Sequence, residues 1–272
     1  MKKIIALALC ALMIMSVFAG CASKTNDNAN DNNADTASMS DLEYVKNNGK
    51  LVVGVTDFKP MDYKDESGKW IGFDADVATK FAQSLGVDVE FVEIEWDNKV
   101  LELDGKKIDC VWNGMTLNDE VKSAMNCSDA YCNNAQVVVV KKDVADKYKT
   151  VEDCKKLSFA VESSSAGQEM AVENSFDFTE VKDQATTLME VMSGTCDAAI
   201  IDSLMAAAMV GEGTGYADLT YTVALNSEEY GVGFRKNSDL VAKLNDFIKS
   251  CKEDGTLEEV AKQYSVQAAL IK

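Results

Sequence analysis

Asp202 closes the apolar run Ala198-Ala199-Ile200-Ile201, and a carboxylate at the end of such a run is hard to place unless something pairs with it. It is the strongest candidate in the chain for a group that meets a ligand. What is missing narrows the chemistry. The sequence has no histidine, which removes Ser-His-Asp and Cys-His catalysis, imidazole metal sites and a histidine pH switch. Arg235 is the only arginine, so planar, bidentate recognition by a guanidinium has a single candidate. No cysteine pair has CxxC spacing, and there is no Walker A loop, no GxGxxG after a strand and no GxSxG. The glycines Gly211, Gly213 and Gly215 follow an expected helix without a lysine to meet phosphate, so they read as a loop. Binding, rather than catalysis, is the chemistry these residues suggest.

Forty-five acidic against 27 basic residues give a net charge of -18, the opposite of a nucleic-acid-binding footprint. At 272 residues and 47% hydrophobic, the chain suits two domains or one large α/β unit. Its start is different in kind. Met1-Lys2-Lys3, an apolar stretch over 4–19 and the small pair Ala19-Gly20 before Cys21 have the layout of a secretory signal over 1–20. The apolar run is short for a bilayer and lacks a basic stop-transfer flank. Phe18-Ala19-Gly20-Cys21 resembles the bacterial lipobox, which implies lipid on the Cys21 thiol. Residues 22–38 contain no large apolar side chain, so 21–40 is expected to be a flexible tether. The six remaining cysteines, at 110, 127, 132, 154, 196 and 251, are expected to be reduced and to pack as small hydrophobes.

The elements that must position Asp202 follow from periodicity. Residues 51–55 form a continuous apolar strand, 74–85 carry a helical stripe ending at Gly86, and 87–92 alternate as a strand. A helix over 97–106 and a strand over 108–112 complete a βαβαβ unit with a parallel sheet. The apolar strand 136–140 precedes a second, smaller block: strand 157–161, helix 166–174, helix 186–192, strand 197–201 and helix 204–210. Strands near 221–225 and 230–234 and helices over 240–252 and 257–264 close the chain. Two such blocks imply two lobes, and the cleft beyond their strand ends is the natural ligand site.

The run Thr56-Asp57-Phe58-Lys59-Pro60-Met61-Asp62-Tyr63 places an aromatic and a kink beyond the first strand, and Gly72-Phe73-Asp74-Ala75-Asp76-Val77 follows it. With Asn113-Gly114-Met115-Thr116-Leu117-Asn118-Asp119-Glu120, Cys127-Ser128-Asp129-Ala130-Tyr131 and Cys196-Asp197-Ala198-Ala199-Ile200-Ile201-Asp202, the chain resembles the amino-acid-binding family of type II periplasmic solute-binding proteins, the receptors of ABC importers. The resemblance covers nearly everything after residue 41. It implies an α/β, two-lobed type II periplasmic-binding-protein fold whose two α/β lobes are joined by two hinge crossovers and close over a ligand. Lobe 1 is expected over 41–140 and 226–272, lobe 2 over 141–225, with hinges near 140–142 and 223–226.

Carried over position by position, the resemblance makes Phe58 and Trp96 aromatic walls, with Gly114 and Thr116 offering a carbonyl and a hydroxyl. Ser163, Ser164 and Ser165 would hold a carboxylate through their amides at a helix start, and Asp202 would accept an ammonium. Glu162 stands where many relatives have glutamine or lysine. One position departs from the family. The arginine that grips the ligand carboxylate is Val121 here, and Lys122 lies about 100° further round its helix. With Asp202, Glu162 and Asp57 unbalanced, the pocket is expected to prefer a cation, and Phe58, Trp96 and Trp112 would add roughly 0.5–2 kcal/mol of cation–π attraction.

The resemblance thus implies a monomeric, lipid-anchored receptor that does no chemistry and needs no metal or other cofactor. Its partners would be an amino acid or small amine, an ABC permease and the membrane, with no nucleic acid. It would sit on the outer face of the cytoplasmic membrane, or in the periplasm of a cell with an outer membrane. An enzyme on the same fold, such as an arogenate-type dehydratase, would need general acids and a carboxylate clamp; Val121 and the lack of histidine count against it. A sensory ectodomain would be expected to continue past Lys272 into a spanning helix.

Overall fold

The computed structural model describes residues 39–272; the expected signal over 1–20, Cys21 and most of the tether over 21–40 lie outside the described residues. Ser40 caps the helix Asp41–Asn48 in a reciprocal capping box with Glu43, and Gly49 ends it in the left-handed region. The strand Lys50–Val55 follows at once. It lies in parallel between Asp88–Glu93 and Cys110–Thr116, and Leu51, Val53 and Val55 are fully buried. The helix Phe73–Leu85 lays Val77, Ala78, Phe81 and Ala82 against this sheet, and Gly86 stops it by donating to the carbonyls of Ala82 and Gln83.

The first sheet runs in the order Asp88–Glu93, Lys50–Val55, Cys110–Thr116, Glu228–Phe234, Asn126–Cys127, with Cys132–Asn134 also pairing Glu228–Phe234. Glu228–Phe234 arrives from late in the chain and pairs antiparallel, so this lobe is discontinuous in sequence. The helix Leu240–Glu253 packs on the same layer, its Phe247 ring 5.4 Å from Phe81. The second sheet has the order Asp177–Val181, Ser158–Glu162, Ala198–Asp202, Gln136–Lys141, Leu219–Ala224; the first three strands are parallel, and Gln136–Lys141 pairs antiparallel with both of its neighbours.

This topology corrects the lobe boundary expected near 140–142. The strand Gln136–Lys141 pairs with Ala198–Asp202 and Leu219–Ala224, so residues 136–140 belong to the second lobe. The chain crosses at Ala135, between Cys132–Asn134 and Gln136–Lys141. A run of valines buried on both faces reads the same in either sheet, and only long-range pairing chooses between them. The return passes between Leu219–Ala224 and Glu228–Phe234, beside the first crossing: Leu225 donates to the Gln136 carbonyl at 2.8 Å and Gln136 to Asn226 Oδ1 at 2.7 Å.

The single arginine belongs to the scaffold. Arg235 is buried in the first lobe, with Nη2 3.0 Å from both Asp41 and Asp109 and Nη1 donating to the carbonyls of Leu103 and Ile108. The cysteines at 110, 127, 132, 154, 196 and 251 are unpaired thiols, all buried except the half-buried Cys127. Burial pushes the Cys132 thiol up to about 12 and Cys154 to about 11, so they pack without reacting. No helix among the described residues is long and apolar enough to cross a membrane.

Candidate functional site

A cavity lies between the two sheets, its walls supplied by both. From the first lobe come Thr56, Phe58, Trp96, Lys99, Gly114 and Thr116; from the second come Glu162, Ser164, Ser165, Gln184 and Asp202. Its volume is about 30 Å³, room for little more than water and too small for an amino acid. Side-chain contacts that bridge the lobes beside it include two from the Lys99 and Asn118 helix starts. Lys99 Nζ donates to the Ser164 carbonyl at 3.0 Å, and Asn118 Nδ2 donates to Glu169 Oε2 at 2.8 Å.

Asp202 sits where its strand delivers it, at the C-terminal end of Ala198–Asp202, and only 3% exposed. Its Oδ1 accepts from Asn134, Gln136 and Tyr230, and its Oδ2 from Gln184. Burial foremost, then the nearby Glu228 charge, pushes its carboxyl up to about 7 against the pull of these donors. The donors tie the site to the crossovers: Asn134 and Gln136 flank the crossing at Ala135, and both also donate to Glu228 Oε1, at 2.7 and 2.8 Å. Each carboxylate oxygen offers two lone-pair sites, so Oδ2, with one donor, retains capacity for an ammonium.

Phe58 stands 2% exposed with its ring edge-on to Tyr230 at 6.3 Å, and Trp96 is 8% exposed. Gly114 has φ +54°, and a Cβ there would meet the Phe58 ring at 2.5 Å; its N–H goes to Asp74 Oδ2 at 2.7 Å. Thr116 lines the cavity while its hydroxyl donates to Glu228 Oε1 at 2.9 Å. Beneath Gly114 lie Asp62 and Asp74, both fully buried. Burial pushes Asp74 up to about 6 and Asp62 well above the usual carboxylate range, which the neighbouring Asp74 charge reinforces. Asn113 joins Asp62 to Thr56 and fixes this floor.

Several expected positions stand elsewhere. Ser163 does not line the cavity: its hydroxyl donates to Glu180 and its N–H to the Val181 carbonyl, because it continues the edge pairing of its strand. The other two serine amides are also committed, Ser164 to Gln168 Oε1 at 2.6 Å and Ser165 to the Glu162 carbonyl at 3.4 Å. Ser165 Oγ caps the helix Ala166–Glu173 by accepting from Gln168. Asp57 is exposed outside the cavity, and Trp112 packs in the core against Phe81. Glu162 is 3% exposed and lines the cavity, with Oε1 unpartnered and its carboxyl driven well up by burial and by Asp202.

The residue that sequence reasoning missed is Lys99. It opens the helix Lys99–Asp104 at 6% exposure, so the cavity does contain a cation although Val121 offers none. Gln184 and Asn118, which also line the cavity, were unread for the same reason: isolated polar residues at helix starts look like solvated positions.

Residues 51–267 match the model described as bacterial extracellular solute-binding proteins, family 3. The L-cystine-binding protein TcyJ of Escherichia coli is 30% identical over 227 residues, which cover 82% of this chain and 85% of that protein. The ABC transporter glutamine-binding protein GlnH of Bacillus subtilis is 32% identical over 275 residues, 97% of each. A solved ancestral amino acid-binding protein, AncCDT-1, a precursor of cyclohexadienyl dehydratase, is similar at TM-score 0.76 and 33% identity, covering 83% of this chain and 99% of that chain.

Proposed function

The chain belongs to the bacterial extracellular solute-binding proteins of family 3, and from that premise we propose that it is the lipid-anchored receptor of an ABC importer, closing by hinge motion on an amino acid or related amine-bearing solute. One observation carries the reading: a single cavity takes Phe58, Trp96 and Lys99 from one lobe and Glu162 and Asp202 from the other. A site divided in this way is completed only when the lobes meet. A cavity of about 30 Å³ admits an amino acid only if they also part, which supports motion about the paired crossovers at Ala135 and 225–227.

The ligand's ammonium would lie at Asp202 and its apolar part between Phe58 and Trp96. Glu162, buried with a free oxygen, would accept from a donor on the ligand's far end. The acids do not stand unbalanced as expected for a pocket that prefers a cation, because Lys99 faces the same space. AncCDT-1 is a precursor of a dehydratase, but the relatives TcyJ and GlnH are binding proteins, and solute binding accounts for the cavity's groups.

A thermal-shift screen over the common L-amino acids, L-cystine and small diamines tests the reading. A ligand at 100 times its Kd raises stability by about 2.7 kcal/mol. The radius of gyration from small-angle scattering should fall when that ligand is added to saturation. Absence of stabilisation by every compound would refute the proposal, and an unchanged scattering curve would refute the hinge.

A further inference from the structure

We infer that Lys99 holds the carboxylate of the ligand, an inference that rests on the solute-binding reading above. A lysine buried to 6% exposure normally has a carboxylate partner. Lys99 has none: among the described residues it enters no ion pair, and its Nζ donates to two backbone carbonyls, Trp96 at 3.2 Å and Ser164 at 3.0 Å. The ring of Trp96 lies 4.9 Å from the same nitrogen. Carbonyls and a ring orient an ammonium without neutralising it, and they leave one of its three N–H donors free.

No acid of the cavity makes an ion pair with Lys99, although the Glu162 charge acts on it through space. Asp202 is bonded to Asn134, Gln136, Tyr230 and Gln184, and Glu162 is held toward its neutral form by burial. Other donors for a carboxylate are already engaged. The amides of Ser163, Ser164 and Ser165 point to protein acceptors, Val121 is apolar, and Arg235 is locked to Asp41 and Asp109. Lys99 and Asp202 therefore stand on opposite lobes as an ammonium without an ion-pair partner and a carboxyl able to accept from the ligand's ammonium, the arrangement that an α-amino acid's two charged ends complement. Because Ser164 belongs to the second lobe, the same ammonium also senses closure.

Calorimetric titration with pairs that differ by the carboxylate tests this: L-arginine with agmatine, L-histidine with histamine, L-cystine with cystamine. The wild-type protein should prefer its amino acid over the matching amine by about ten- to a hundredfold, as a charge-assisted hydrogen bond implies. In Lys99→Gln that preference should shrink to within about threefold, through loss of amino-acid affinity, and Lys99→Arg should restore most of it. A preference kept in Lys99→Gln overturns the inference, and so does parallel loss of amine and amino acid, the mark of a structural role. If the wild-type protein binds no amino acid in the wider screen, the solute-binding reading falls and the inference with it.

Discussion

Tyr230, on the last strand of the first lobe, donates its hydroxyl to Asp202, at the end of a central strand of the second. The proposed ammonium site is thus held by a residue from each side of the crossovers. Raising the folded-state carboxyl from 3.8 to about 7 means that below about pH 7 the unliganded protein favours protonated Asp202, and that ionising it costs stability as pH rises through that range. An ammonium ligand needs the ionised form. Its Kd should therefore rise on acidification, by up to about tenfold per pH unit below 7. Titration calorimetry between about pH 5 and about pH 7.5 measures this, and a flat profile would count against an ionised Asp202 in the complex. Asp202→Asn should abolish binding of the ammonium ligand.

Gly114→Ala should destabilise the protein by about 2–4 kcal/mol, combining a left-handed backbone for a residue with a Cβ and overpacking against the Phe58 ring. Urea unfolding reads the change. Phe58→Leu in the same background should recover part of it, since the ring edge is the atom met at 2.5 Å.

Arg235→Met should cost about 3–5 kcal/mol, because it strands Asp109 as a buried charge without its partner. Asp109 is 2% exposed and its other oxygen is engaged by the Val52 N–H. Ligand affinity of the folded variant should stay within about twofold of wild type, since Arg235 is part of the scaffold and lies outside the cavity. A selective loss of binding would place the guanidinium in the site after all.

Cys21→Ala should release the protein from the membrane fraction. Each buried acyl CH₂ contributes roughly 0.8 kcal/mol, so an anchor of two or more chains dominates attachment. Retention of the variant after a carbonate wash would refute lipidation at this residue.

The sequence alone determined the layers and the place of one buried carboxylate at the cavity. Alternating apolar runs and helical stripes are local signals, so both parallel strand clusters and the stop at Gly86 could be read from them. Asp202 was legible because a carboxylate after buried residues requires a partner wherever the strand lies. Tertiary structure decided what depends on distant pairing. Val137 to Val140 could serve either sheet until Ala198–Asp202 and Leu219–Ala224 claimed them, and so the first crossing lies at Ala135. Lys99 was one lysine among many at the start of a short, charged helix. The loop at Ser164 arrives from the other lobe to meet its ammonium, a contact across 65 residues that no local pattern encodes.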